Sequence, residues 1–248
     1  MALDPAFLKL HGDLPRQGVG ADWCTREALG RLPPLRKPPA VIDMGCGPGR
    51  QTIVLANHFR SPIDAVDICP LFLEQMIDSA KAAEVDQWIK PRRESFAKLL
   101  DAPGSFDLVW SEGSIGVLGW QTSLRLWAPL LRKRGIMVVS DCTWLTAAPP
   151  VEIADFWAKA YPGMTDSAGI GAIAEANGLK VFDQFTLPRS AWWDEYYAPL
   201  SRRIAALRDD AATDPGLAAI IAATQAEIAA FERFGDCYGY VFYLMRLA

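Results

Sequence analysis

The stretch from Val41 to Thr52 (VIDMGCGPGRQT) sets Gly45, Gly47 and Gly49 between an apolar run and a helical one. Glycines so placed let a ligand approach the backbone and adopt dihedrals closed to other residues. The helix start beyond them offers unpaired N–H groups and a positive dipole end, a setting for an anion. A phosphate-binding loop of the G-x-x-x-x-G-K-S/T type needs a lysine that is absent. A dinucleotide fingerprint, G-x-G-x-x-G, would put its third glycine where Arg50 stands. Further on, Asp67 closes the next apolar run, and its carboxylate could accept from both hydroxyls of a vicinal diol. Ser111 and Glu112 close another, Phe106 to Trp110. Glu112 could be a general base, the electrostatic partner of a cationic acceptor, or a carboxylate capping a nearby backbone N–H.

Alternating short elements must hold these residues. Strands are expected at 40–44, 63–66, 106–110 and 136–141, and helices at 22–32, 50–59, 71–83 and 122–131. Pro70 stands at a helix start, and Arg132 to Gly135 reads as a polar turn. Such alternation means a parallel sheet with helices on both faces, and reaction crevices in such sheets lie beyond the strands' carboxyl ends. The last third differs. A helix at 166–177, ended by Asn177-Gly178, precedes a strand at 179–187 and an aromatic-rich stretch. Two helical patterns follow, around Leu200 to Ala211 and Leu217 to Phe231, with Asp214 as N-cap and Pro215 at the first helical position. Tyr238 to Leu247 closes as a strand, so a helical insertion is expected between the last two strands.

The glycine stretch resembles motif I of the class I S-adenosylmethionine-dependent methyltransferases, with Asp43, Gly45, Gly47 and Gly49 at its positions. Asp67 stands where that family keeps a ribose-gripping carboxylate. The resemblance spans nearly the whole chain. Trp110-Ser111-Glu112-Gly113 is similar to the fourth-strand motif of a bacterial, small-molecule-type branch. Arg16-Gln17-Gly18, Phe156-Trp157, Tyr161-Pro162 and the tail from Tyr238 to Tyr243 match further motifs of that branch. It implies an α/β fold, a doubly wound, mostly parallel seven-stranded Rossmann-like sheet with a helical insertion before the last strand. It implies one domain over 1–248, with an N-terminal helical lid at 1–39 and the insertion at 188–236. The implied donor is S-adenosylmethionine, leaving S-adenosylhomocysteine. Its implied contacts are Arg16, Gln17, Gly18, Asp43, Gly45, Cys46, Gly47, Gly49, Gln51, Asp67, Ile68, Ser95, Phe96 and Ser111. Ala97 stands where many relatives carry an acidic residue near the adenine, which leaves Ser95, Phe96 or backbone groups to recognise the base.

Methyl transfer from a sulfonium is an in-line displacement, so positioning and exclusion of water can supply much of the rate. Glu112 and Ser111 are the expected catalytic pair. Glu112, Trp144, Trp192 and Tyr196 are expected to hold a small-molecule acceptor, with rings able to wall an apolar pocket or face a cation; the same rings could simply pack the insertion onto the sheet. Asp141 is a second candidate for the base that reads first as structural, His58 reads as structural, and His11, on a segment able to fold over the site, is a candidate that reads first as a surface group. Two other readings remain open: an NAD(P)-dependent oxidoreductase, with Asp67 in the same ribose role, or a protein that binds S-adenosylmethionine without turnover.

The 248 residues are 51% hydrophobic and 22% charged, enough apolar material for a core and too little charge for disorder. A net charge of −4 argues against a nucleic-acid binder. Five cysteines without C-x-x-C spacing argue against a disulfide framework, and two histidines against a His-rich metal site; none is expected. No signal peptide or spanning segment is visible, so a cytoplasmic monomer or homodimer, free of membrane, is expected.

Overall fold

The computed structural model describes residues 3–248. Two helices come first, α1 (Pro5–His11) and α2 (Asp22–Gly30). The alternating half follows as β1 (Val41–Met44), α3 (Arg50–Phe59), β2 (Ile63–Asp67), α4 (Pro70–Ala82), β3 (Ile89–Arg93), β4 (Phe106–Glu112), α5 (Trp120–Trp127) and β5 (Leu131–Trp144). Then come α6 (Val151–Ala160), α7 (Ser167–Ala176) and β6 (Leu179–Thr186). The insertion holds α8 (Arg189–Trp192), a π-helical turn at Trp193–Tyr197, α9 (Ala198–Ala206), α10 (Arg208–Ala211) and α11 (Pro215–Phe234), and β7 (Tyr238–Leu247) ends the chain.

One seven-stranded sheet has the order β3-β2-β1-β4-β5-β7-β6. β1 to β5 run parallel, and β7 is antiparallel to both β5 and β6. The order reverses between β1 and β4, which opens a crevice at their carboxyl ends. Successive residues along the strands feed two apolar layers. Val41, Leu108, Trp110, Ile136 and Val138 face one; Ile42, Met44, Val109, Met137 and Val139 face the other. Burial on both faces explains why these strands read as unbroken apolar runs.

Several boundaries differ from expectation. The helix expected at 122–131 occupies Trp120–Trp127, because Pro129 cannot continue it and a tight turn follows at Ala128–Leu130. The turn expected at 132–135 is an irregularity inside β5. Pairing jumps from Phe106 with Leu131 to Leu108 with Ile136, and Arg134 takes φ 72°. β5 then runs on to Trp144, three residues' worth of extra pairing being supplied by β7 at Cys142, Thr143 and Trp144. Helix α1 falls within the helical segment expected at 1–39, and α6 lies outside the expected elements. α1 is capped by Asp4, whose carboxylate accepts from the Ala6 N–H, and begins on Pro5. α6 buries just Ile153 and Trp157, a narrow stripe next to Pro149 and Pro150. Asp166 and Asp214 cap α7 and α11 through the N–H groups of Gly169 and Leu217. All five cysteines are free. No helix among the described residues is long and apolar enough to cross a membrane.

Candidate functional site

The glycine loop is shaped by its contacts. The Gly45 and Cys46 N–H groups donate to the Val66 carbonyl of β2 at 2.9 and 3.0 Å. Gly47 and Gly49 have φ 53° and 87°, left-handed conformations that cost glycine little. Gly49 is the N-cap of α3, and a Cβ there would run into Met76 of α4. Gly47 faces open space, where the nearest atom to an added Cβ would be Gln17 Oε1 at 3.4 Å. Gly49 therefore packs the helix, while Gly47 clears a floor.

Two aspartates brace the loop. Asp67, at the end of β2, accepts from the Gly47 N–H at 3.0 Å and the Cys69 N–H at 2.8 Å. Burial pushes its pKa upward, and those backbone donors oppose the rise. Asp43 on β1 is wholly buried and accepts from Thr52 Oγ1 of α3 at 2.6 Å and from Gln51 at 3.5 Å. Burial raises it to about 7, with Glu112 and Asp67 adding to the rise. Asp43 thus ties strand to helix beneath the loop instead of fronting a ligand.

A cavity of about 290 Å³ lies over the loop at the carboxyl ends of β1, β2 and β4. From the expected donor site, Gly45, Cys46, Gly47 and Gln51 form its floor and Asp67, Ile68 and Phe96 one wall; Arg16, Gln17 and Gly18 lie across it. The structure places Asp43, Gly49, Ser95 and Ser111 behind this lining. Ser95 caps a turn through the Ala97 N–H at 3.3 Å. Ser111 is fully buried. Its hydroxyl lies 2.7 Å from that of Ser114, which donates to the Met44 carbonyl at 2.6 Å, so Ser111 is the donor between them. Ser114 takes the lining position instead.

Glu112 lines the cavity, yet its side chain is only 3% exposed. Its carboxylate accepts from Thr25 Oγ1 at 2.7 Å, Trp110 Nε1 at 3.0 Å and Arg16 Nη1 at 3.4 Å. Arg16 also meets Asp22 at 3.2 Å. These bonds hold the segment between α1 and α2 against β4. That segment forms the rim through Arg16 to Val19, and α1 adds Phe7.

A second cavity, of about 350 Å³, opens beside the first. The two share Gln17, Gly18, Val19, Gly113 and Val117 as a common boundary. Its far walls are Asp141 of β5, Trp157 and Tyr161 around α6, Trp192, Tyr196 and Glu227 of the insertion, and Tyr240 of β7. Of the residues expected to hold an acceptor, Trp192 and Tyr196 line this cavity. Trp144 does not: it packs edge-on against Tyr238 at 6.2 Å, outside this lining. Asp141 accepts from Tyr161 Oη at 2.5 Å and Trp120 Nε1 at 2.7 Å, and burial raises it to about 6. His11, expected at the surface, is buried and stacked between Phe7 and Tyr196, and burial lowers it to about 4. Sequence reasoning missed Glu227 and Tyr240, which sit on a helix and a strand whose patterns read as core. A larger cavity, of about 590 Å³, lies between Pro33 to Pro39 and Phe59, at the opposite end of the strands and away from the loop.

Residues 41–135 match the family described as Methyltransferase domain. No curated protein matches the chain. Among solved structures, a SAM-dependent methyltransferase from Thiobacillus denitrificans in complex with S-adenosyl-L-homocysteine is 17% identical, with a TM-score of 0.83 and all of both chains covered. A SAM-dependent methyltransferase from Geobacter sulfurreducens, also in complex with S-adenosyl-L-homocysteine, is 17% identical with a TM-score of 0.81 and 99% of each chain covered. The cyclase SpnF shares the fold at 18% identity and a TM-score of 0.77, over 98% of this chain and 92% of its own. Residues 41–135 thus match a methyltransferase-domain family, and the whole chain shares its fold with solved S-adenosylmethionine-dependent methyltransferases.

Proposed function

We propose that the protein transfers a methyl group from S-adenosylmethionine to a small molecule, without a metal. The observation that carries this reading is the shared boundary at Gln17 to Val19, Gly113 and Val117, across which the loop cavity and the aromatic cavity meet. A donor over the glycine loop and an acceptor among the rings would face each other there.

The residues present suit the donor. Gln17 Oε1 and Arg16 Nε are buried polar atoms without a partner among the described residues, both beside the loop. Gly47 leaves room that a side chain would fill. When bound, S-adenosylmethionine supplies a methyl carbon already activated by a sulfonium. Asp67 would take the ribose hydroxyls, Phe96 and Ile68 the adenine, and Arg16, through its unpartnered Nε, the methionine carboxylate. Trp192 and Tyr196 would hold the acceptor. Glu112 and Ser111 serve here as positioning residues: Glu112 fixes the rim through Arg16 and Thr25, and Ser111 fixes Ser114. Enclosure by the rim strengthens polar interactions inside and keeps water from the sulfonium.

Calorimetric titration with S-adenosylmethionine and S-adenosylhomocysteine, with NADH as control, tests the reading. Micromolar binding of the adenosyl ligands and silence from NADH is the expected result. NADH binding alone would turn the assignment to an oxidoreductase, and donor binding without turnover over a broad acceptor panel to a non-catalytic role.

A further inference from the structure

We infer that the second cavity takes an amine, so that the reaction proposed above is an N-methylation of a small, largely apolar amine; the inference rests on that reading. The charged residues of its lining are two carboxylates, Asp141 and Glu227, and the lining includes no Lys, Arg or His. The nearest histidine, His11, stands behind Tyr196 with ring centroids 6.4 Å apart, and its burial keeps it neutral near pH 7.

The two carboxylates differ in what remains free. Asp141 is engaged by Tyr161, Trp120 and the Cys142 N–H. Glu227 takes one bond, from Tyr197 Oη to Oε1 at 2.7 Å, and its Oε2 has no partner among the described residues. Glu227 is half-buried and lines the cavity, so this oxygen stays open to a ligand, and a charged N–H donor is its strongest partner. The remaining walls are ring faces and edges: Trp157, Trp192, Tyr196 and Tyr240, with Trp192 and Tyr240 meeting edge-on at 5.2 Å. Such rings attract a cation and cover apolar carbon.

Other acceptor classes fit less well. A carboxylate or phosphate would enter a pocket that already holds two carboxylates and offers no cation. An alcohol would leave Glu227 without a charged partner. An ammonium satisfies Glu227, and its hydrocarbon body lies against the rings.

The step balances within the site. The ammonium gives one proton to Glu227, whose burial raises its proton affinity. The amine lone pair then forms the new C–N bond as the methyl C–S bond breaks and leaves its electron pair on sulfur. The sulfonium charge ends on the methylated ammonium, and the Glu227 proton passes to solvent as product departs.

The test is titration of the protein saturated with S-adenosylhomocysteine. The probes are benzylamine, 2-phenylethylamine and cyclohexylamine, each beside the alcohol and the carboxylate of the same skeleton. At least one amine is expected to bind about tenfold or more tightly than its alcohol, and the carboxylates not at all. Glu227→Gln should weaken that amine about tenfold while S-adenosylhomocysteine affinity is unchanged. Alcohols or carboxylates binding as well as amines, no amine binding, or an amine indifferent to Glu227→Gln would each overturn the inference. Failure of S-adenosylhomocysteine to bind at the outset would strike the donor assignment instead, and is seen before any amine is added.

Discussion

Glu112 accepts a hydrogen bond from Thr25 Oγ1 at 2.7 Å, joining the end of β4 to α2 across the mouth of the loop cavity. Trp110 and Arg16 complete its shell, so the carboxylate that stands nearest the crevice in sequence spends its lone pairs on protein donors. In Glu112→Gln, the new amide can keep one donor but presents N–H groups to another. The variant should lose about 2 kcal/mol of stability, read from urea denaturation. Donor affinity should fall too, because Arg16 to Val19 form the rim. Full stability and donor affinity with lost turnover would show Glu112 acting on the acceptor directly.

The loop glycines separate packing from binding. Gly49→Ala combines a left-handed φ of 87° with a clash on Met76, and should cost about 3 kcal/mol in thermal or denaturant unfolding. Gly47→Ala, whose added methyl points into the cavity, should cost only about 1 kcal/mol yet abolish measurable S-adenosylmethionine binding in calorimetry. Equal behaviour of the two variants would contradict the assignment of the floor.

Asp67→Ala should weaken S-adenosylmethionine binding about 10- to 100-fold, since it removes the proposed ribose acceptor and the partner of the Gly47 N–H. Asp67→Asn keeps one acceptor oxygen and should lose less. Unaltered affinity in both would place the ribose elsewhere.

Asp43 makes stability depend on pH in a direction unusual for a carboxylate. Its native pKa of about 7 lies above the ordinary value of 3.8. The folded state therefore holds the proton more tightly than the unfolded chain, and this contribution is full below the unfolded pKa and lost as pH rises toward 7. Asp43→Asn does not titrate. The stability of the natural chain relative to this variant should fall between pH about 4 and about 7 and level off above. Denaturation at a series of pH values measures it, and a flat difference would mean that Asp43 ionises as an ordinary surface carboxylate does.

The glycine-loop side of the candidate site was legible from the sequence because its determinants are local. Gly45, Gly47, Gly49 and Asp67 lie on two consecutive strand-to-helix turns, and the bonds that shape the loop, Gly45 to Val66 and Gly47 to Asp67, stay within the β1–α3–β2 unit. Periodicity in the same unit placed β1, α3, β2 and α4 to within about a residue or two of their observed ends, the usual spread of such boundaries. Asp214 and Pro215 marked the start of α11 for the same reason, since a cap satisfies N–H groups only three residues away.

What only the tertiary structure decided is the aromatic cavity and the hydrogen-bond partners of each carboxylate. Gln17, Gly113, Asp141, Tyr161, Trp192, Glu227 and Tyr240 belong to separate elements, and they share one cavity because β7 threads between β5 and β6 while the insertion folds back toward the loop. Whether Glu112, Glu227 or Asp141 has an oxygen to spare depends on donors 87, 30 and 20 residues away. Sequence patterns report which face of an element is apolar. A hydrogen bond between distant elements has no periodicity to reveal it, and so only the folded chain separates a carboxylate whose oxygens are all engaged from one with an oxygen left free.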